Sequence, residues 1–500
     1  MLTEYRLFID GEFVDSADGR TFETKDPSDG SVIATVSRAG AQDVDRAVAA
    51  ARRAYDEGPW GSMPARDRLA ILARMGRIMA ERQSGLSELE ARDAGHTLRM
   101  ANLFTVPLAV YHWQYLAEAA GRIDEIEAVP ETGFPAPAWE IVQRCPYGVC
   151  AGIIPWNFPL IMAVWKAAPA LAMGNTMILK PSPYTPLSAL ELGAIAAEAG
   201  LPNGVLNVVP GTGPIAGEAL VTDPRVDKVA FTGSTGVGRR VMQLASGTIK
   251  NVTLELGGKS ANIILDDADL DIAVPGALWA TYLHQGQICH SGTRCFVPAS
   301  LYDEVTARMV EVAEGLKVGS ALDFESDMGP VIDRRQLDTI QRYIQVGQDE
   351  GAKLLTGGGV PEGVPEGGHY VEPTIFGEVD NSMKIAQEEI FGPVLSVIRY
   401  ESVEDAIRMA NDSIYGLAGG VWSRDIPRAL GVARRMQTGT VWINDYHLVS
   451  AAAPFGGFKQ SGIGRELGTW GLLQFVQPKY IRVDQTPSKE QKFWFQVLGL

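Results

Sequence analysis

Gly148-Val-Cys-Ala-Gly-Ile-Ile154, Pro155-Trp-Asn-Phe158, Pro159-Leu-Ile-Met-Ala-Val-Trp-Lys-Ala-Ala-Pro-Ala-Leu171 and Thr176-Met-Ile-Leu-Lys180 read in turn as strand, turn, helix and strand. The alternation then continues through helix 186–199, strand 205–209, helix 214–220, strand 228–231, helix 235–246 and strand 252–256. That spacing indicates right-handed βαβ units on a parallel sheet. Ligands of such sheets sit beyond the carboxyl ends of the strands, where the connecting loops fall. A second series starts after Gly258, with strand 261–265, helix 270–283, strand 295–297 and helix 301–316. It resumes with strand 395–400, helix 403–411, strand 418–422, helix 426–436 and strand 439–443. The expected class is α/β.

Upstream, residues 6–14 read as a hairpin about Asp10-Gly11. Helical patterns cover 41–55, 65–92 and 102–121. Leu69, Ile71, Leu72, Met75, Ile78 and Met79 form a core stripe in the second of these. From 123 to 145 the pattern is extended and broken by Pro130, Pro135 and Pro137, as in an edge hairpin outside the main sheet. Downstream, 357–368 is a Gly/Pro-rich surface loop, 479–484 is extended again, and Phe493, Trp494 and Phe495 form a short apolar tail.

A chain of 500 residues suggests two or three domains. The net charge of −16 argues against general nucleic-acid binding, which needs basic patches. Cys145, Cys150, Cys289 and Cys295 show no CxxC spacing and no paired histidines nearby. This excludes a disulfide scaffold or zinc site and fits a reducing cytoplasm. The N-terminus lacks a basic segment followed by a long apolar one, so no signal peptide is expected. The most apolar stretch, 160–173, is interrupted by Lys166 and Pro169 and falls short of the ~20 residues needed to span a membrane.

The chemistry centres on His284-Gln-Gly-Gln-Ile-Cys289-His290, where an apolar helix breaks into a glycine turn. Cys289 is either a nucleophile or an inert core thiol, and its polar flanks favour the former. Leu254-Glu-Leu-Gly-Gly-Lys259 offers Glu255, either a general base for water or a strand carboxylate satisfied by backbone donors. Asn157 at a strand-to-helix turn either donates to an oxyanion or caps the next helix. Lys180 binds cofactor hydroxyls or phosphate, or is an ordinary surface lysine. Phe231-Thr-Gly-Ser-Thr-Gly-Val-Gly238 and Gly211-Thr-Gly213 with Gly217 both miss the GxGxxG spacing. Each is a phosphate-approaching loop or a tight turn. Glu388-Glu389-Ile-Phe391 is a ribose-holding carboxylate with a ring packed beside it, or a solvated helix end.

Together these runs resemble the aldehyde dehydrogenase superfamily. The matching segments are Pro155-Trp-Asn-Phe-Pro159, Lys180-Pro-Ser182, Phe231-Thr-Gly-Ser-Thr235, Leu254-Glu-Leu-Gly-Gly-Lys259, Gly286-Gln-Ile-Cys289, Glu388-Glu-Ile-Phe-Gly-Pro393 and Pro454-Phe-Gly-Gly-Phe-Lys-Gln-Ser-Gly462. They span nearly the whole chain in the family's order. Glu255 places the similarity with the hydrolytic, acid-forming branch. The resemblance implies two doubly wound parallel-sheet domains plus a β oligomerisation arm. An NAD(P)-binding domain would take 1–122 and 147–256, a catalytic domain 257–474, and the arm 123–146 with 475–500, in a homodimer or homotetramer. It implies catalysis by Cys289, Glu255 and Asn157, with Lys166 in a proton path. Hydride passes to the nicotinamide, leaving a thioester on Cys289 that water releases as the carboxylic acid. Cofactor contacts would come from Ile153, Ile154, Pro155, Trp156, Lys180, Ser182, Pro183, Gly213, Phe231, Thr232, Gly233, Ser234, Val237, Glu255, Leu256, Gly257, Glu389 and Phe391.

Many NAD-preferring relatives carry a glutamate where this chain has Pro183, so NADP stays open while NAD is favoured. The matches to the family's substrate pocket are Phe158, Trp165, Leu283, Ile288, His290, His447, Val449 and Phe455. They are mostly apolar and fit an aliphatic or aromatic aldehyde. The alternatives are a semialdehyde or amino-aldehyde substrate, although no arginine or carboxylate cluster marks either. Outside the dehydrogenases stand a non-catalytic relative, which should have lost Cys289 or Glu255, and a cysteine esterase or thiol hydrolase. The last needs a Cys–His pair, and neighbours such as Cys289 and His290 on a turn are expected to point apart.

Overall fold

The computed structural model describes residues 3–130 and 134–500. Positions 1–2 of the N-terminal reading and 131–133 of the expected arm lie outside the described residues. The first series forms one sheet from β1 (Leu7–Ile9), β2 (Glu12–Val14), β3 (Val149–Ile153), β4 (Thr176–Lys180), β5 (Leu206–Val208), β6 (Lys228–Thr232) and β7 (Asn251–Glu255). A short late strand, Gly462–Ile463, joins its edge, giving the order Gly462–Ile463, β7, β6, β3, β4, β5, β1, β2. The five central strands are parallel and the edge pairings antiparallel. Helices α1 (Pro159–Ala172), α2 (Leu187–Glu198) and α3 (Thr235–Ala245) connect them.

Strands β3 to β6 are buried along their whole length, which explains their unbroken apolar runs. Met177 and Leu179 of β4 pack with Leu160 and Trp165 on one face, and Ile178 packs with Val48 and Val149 on the other. The hairpin turns through Asp10 and Gly11 at φ 57° and 81°, the left-handed pair that a two-residue turn requires.

The second sheet contains β8 (Ala261–Ile264), β9 (Arg294–Pro298), β10 (Lys353–Thr356), β11 (Thr374–Gly377), β12 (Val394–Tyr400), β13 (Ala418–Trp422) and β14 (Thr440–Ile443). Its order is β10-β11-β12-β9-β8-β13-β14, parallel except for β10. Helix α4 (Leu270–Tyr282) follows β8. β10, β11 and the helix Arg334–Asp349 are additions to the sequence reading. That helix buries only Leu337, Ile340, Ile344 and Gly347, a stripe thin enough to be hidden among charged residues.

The extended segments form a third sheet. Ala138–Pro146 pairs antiparallel with both Ile126–Ala128 and Val476–Asp484, and Trp139 and Tyr480 stand exposed on it. The single helix expected over 65–92 is two, Ala65–Glu81 and Gln83–Ala94. The chain bends at Arg82, whose guanidinium pairs with Glu198 on α2.

Candidate active site

Cys289 reaches a cavity because the chain after α4 turns back sharply. His284, Gln285 and Gly286 adopt φ of 48°, 54° and 71° in succession. At Gly286 a Cβ would lie 2.2 Å from the Gly392 carbonyl oxygen. The Gln287 N–H donates to the His284 carbonyl at 2.9 Å, and the Ile332 N–H donates to Gln287 Oε1 at 3.0 Å, pinning the loop. Burial pushes the Cys289 thiol pKa up, and the charges of Glu389, Glu255 and Glu466 add to the rise.

Asn157 follows β3 and meets this loop directly. Its Nδ2 donates to the Gln287 carbonyl at 2.7 Å. The cap position of α1 belongs to Phe158, with no side-chain cap bond, so Asn157 is not a helix cap. Glu255 ends β7 with both carboxylate oxygens buried and no hydrogen-bond partner. Backbone donors do not satisfy it. Burial raises its pKa well above the ordinary range and Glu466 raises it further, while Lys166 and Arg465 oppose the rise. Lys166, on α1, is ion-paired with Glu466, and both side chains are buried. An unpartnered carboxylate beside a paired one is an arrangement able to take up and release a proton.

Glu389 faces the same cavity. Its Oε1 accepts from the Gly258 N–H at 3.1 Å, and burial raises its carboxyl pKa to about 7. A Cβ at Gly257 would lie 2.2 Å from Glu389 Oε2, so only glycine permits this approach. Phe391 stacks edge-on against Trp156 with ring centroids 5.2 Å apart. Lys180 is buried rather than a surface lysine. Its Nζ donates to the carbonyls of Pro181 (2.6 Å) and Gly211 (3.1 Å), and burial lowers its pKa to about 8. Ser234 caps α3, its hydroxyl accepting from the Val237 N–H at 3.4 Å.

One cavity of ≈ 270 Å³ gathers most of the expected residues. It is lined by the expected cofactor contacts Pro155, Trp156, Thr232, Gly233, Ser234, Leu256, Gly257, Glu389 and Phe391, together with Asn157, Glu255 and Cys289. Phe158, Trp165, Leu283, Ile288, His290, His447, Val449 and Phe455 complete the wall. Ile153, Ile154, Lys166, Lys180, Ser182, Pro183, Gly213, Phe231 and Val237 do not line it. Lys166 lies behind Glu466, Phe231 is buried in the sheet, and Val237 is exposed on α3.

His290 corrects one expectation. Its Nδ1 lies 3.8 Å from Cys289 Sγ, so the neighbours face each other. Burial lowers the imidazole pKa to about 3, leaving it a weak base for an esterase. Sequence reasoning missed the cavity-lining Phe104, Leu108, Ile161, Met162, Gln336 and Glu466. Gln336 Nε2 donates to the carbonyls of Ile390 (3.0 Å) and Phe391 (2.9 Å) and so fixes the Glu389 loop. Among the described residues no group of three His, Cys, Asp or Glu side chains could hold a metal ion, and no helix is long and apolar enough to cross a membrane.

The model of the aldehyde dehydrogenase family matches residues 13–481. The chain is 42% identical to betaine aldehyde dehydrogenase of Bacillus subtilis (strain 168), covering 98% of this chain and 99% of that one. It is 44% identical to the mitochondrial benzaldehyde dehydrogenase of Antirrhinum majus, covering 95% and 88%. The NAD+ complex of an aldehyde dehydrogenase from Bacillus cereus superposes with a TM-score of 0.93 at 43% identity, covering 97% of each chain.

Proposed function

Because the chain belongs to the aldehyde dehydrogenase family, we propose that it oxidises an apolar aliphatic or aromatic aldehyde to the carboxylic acid with reduction of NAD, through a thioester on Cys289. One observation carries this reading. A thiol, an amide donor and an unpartnered buried carboxylate share one cavity at the carboxyl ends of the β-strands.

The Cys289 thiol gives up its proton to water, and Sγ, as thiolate, attacks the aldehyde carbon. Asn157 Nδ2 and the Cys289 backbone N–H meet the oxyanion that forms. Bound NAD supplies the hydride acceptor. Ionised Glu255 takes a proton from water, which attacks the thioester and frees the acid. The charges of Lys166 and Glu466 act on Glu255 and set how readily it holds that proton.

The residues present suit the cofactor. Glu389 accepts one backbone bond and keeps acceptor capacity for ribose hydroxyls. Lys180 and Ser182 stand at the end of β4, Gly213 opens onto free space, and Gly233 and Ser234 start α3 where an anion is favoured. The NAD+ complex of the Bacillus cereus relative supports NAD. Residues 1–122 and 147–256 are assigned to its binding, 257–474 to catalysis, and 123–146 with 475–500 to an arm joining two or four copies. The apolar wall of Phe158, Trp165, Leu283, Val449 and Phe455 supports the substrate class.

The test is absorbance of reduced nicotinamide across a panel of aliphatic, aromatic and charged aldehydes, with NAD and NADP compared. Reduction that is lost in Cys289→Ala, with cofactor binding retained, is expected. Substantial turnover by Cys289→Ala would overturn the assignment.

A further inference from the structure

Beneath the catalytic loop lies a buried acid–imidazole pair that the mechanism does not use. His96 follows the helix Gln83–Ala94, just past Gly95 at φ 74°, and is fully buried. Its Nε2 lies 2.7 Å from the Asn157 carbonyl oxygen. A carbonyl only accepts, so the imidazole proton sits on Nε2 and Nδ1 carries a lone pair. Nδ1 faces Glu90 Oε2 at 3.5 Å, and this carboxyl is also fully buried. His96 Nδ1 has no other partner, and the only donors near the Glu90 carboxyl are the Ser188 hydroxyl and the Leu160 N–H. The His96 Nδ1 lone pair and a carboxylate oxygen facing each other in a dry core repel, and a single proton between them removes the conflict. Burial raises the Glu90 carboxyl pKa to about 8 and lowers that of His96 to about 4, so the proton rests on Glu90. The His96 ring packs edge-on against His284 of the nucleophile loop, with centroids 4.3 Å apart, and tilted against Phe158 at 5.1 Å.

We propose that Glu90, His96 and the Asn157 main chain form one proton-ordered chain, Glu90 O–H to His96 Nδ1 and His96 Nε2–H to Asn157 O, which makes His96 a positioning residue for the oxyanion donor. Asn157 is then held at both ends, its carbonyl by His96 and its Nδ2 by the Gln287 carbonyl. The second Nδ2 hydrogen is left for the substrate oxygen. His96 does not line the cavity.

This inference rests on the dehydrogenase reading, so the experiment starts from an aldehyde that the wild-type enzyme oxidises in a Cys289-dependent way. Removing an oxyanion donor outright costs about 100- to 1,000-fold, and misplacing one by about 1 Å roughly 100-fold. His96→Phe is therefore expected to lower kcat by about 10- to 100-fold while NAD affinity, read by fluorescence titration, stays within about twofold. His96→Gln keeps an N–H donor and is expected to recover most of the loss. Glu90→Gln, a neutral donor of the same shape, is expected to exceed Glu90→Leu in kcat by about tenfold. Should His96→Phe fail to fold, the His96→Gln and Glu90 comparisons decide. A folded His96→Phe with kcat within twofold of wild type, a His96→Gln no better than His96→Phe, or a Glu90→Gln no better than Glu90→Leu would each overturn the chain. Absence of any wild-type aldehyde oxidation would overturn the dehydrogenase reading, and this inference with it.

Discussion

Gly286→Ala tests whether the left-handed turn after α4 places Cys289, the proposed nucleophile. Gly286 has φ 71°, which costs an L-residue about 1–2 kcal/mol. Its Cβ would lie 2.2 Å from Gly392 O, against roughly 3.5 Å for a relaxed heavy-atom contact. The turn or the Gly392 segment must therefore yield by about 1 Å. Gly392 O already accepts from the Val394 N–H at 2.8 Å, at the start of β12, so that side resists. The displacement falls on the turn, three residues before Cys289, where a shift of about 1 Å costs roughly 100-fold in rate. Steady-state NADH formation at saturating NAD should fall by about that factor, and alkylation of Cys289 by iodoacetamide, followed by mass spectrometry, should change rate with it. Gly85→Ala is the control. It lies in the helix Gln83–Ala94 with nothing within 4 Å of the added Cβ, and alanine there stabilises by up to about 1 kcal/mol. A Gly286→Ala enzyme with wild-type kcat and alkylation rate is incompatible with the turn as the positioning element.

Two further outcomes follow from Glu255. Glu255→Gln should release a first turnover of NADH at normal amplitude and then stall at thioester hydrolysis, and stopped-flow traces with an unchanged steady state would remove Glu255 as the base. In the proposed mechanism hydrolysis needs ionised Glu255, so its rate should rise as pH climbs through the raised pKa. Lys166→Met removes a charge that opposes the rise and should move this limb to higher pH. Glu466→Gln removes one that adds to it and should move the limb lower, although leaving Lys166 buried and unpaired costs roughly 3–5 kcal/mol of stability. Profiles of kcat against pH that shift in the same direction for both variants would contradict this electrostatic account.

Much of the fold was legible because strands buried on both faces are written as apolar runs between turn residues, as in β3, β4 and β6. β10 and β11 were not, since four-residue strands beside a Gly/Pro-rich loop leave little pattern. Cys289, Asn157 and Glu255 stood out through neighbouring turns and glycines. Glu466 did not, because its importance comes from Lys166, 300 residues away in the chain. Gln336 and His96 were silent for the same reason, the latter reaching Asn157 across 61 residues.

Local sequence thus determined the strand–helix alternation and the parallel sheets and pointed to Asn157, Glu255 and Cys289, because these depend on periodicity and turn chemistry within a few residues. Folding alone decided that Lys180 is buried, that Asn157 binds the nucleophile loop instead of capping α1, and that Cys289 faces His290. It also decided which carboxyls are pushed toward the protonated form. Desolvation and the distance to other charges govern that state, and both are set only when segments far apart in the chain close around one dry cavity.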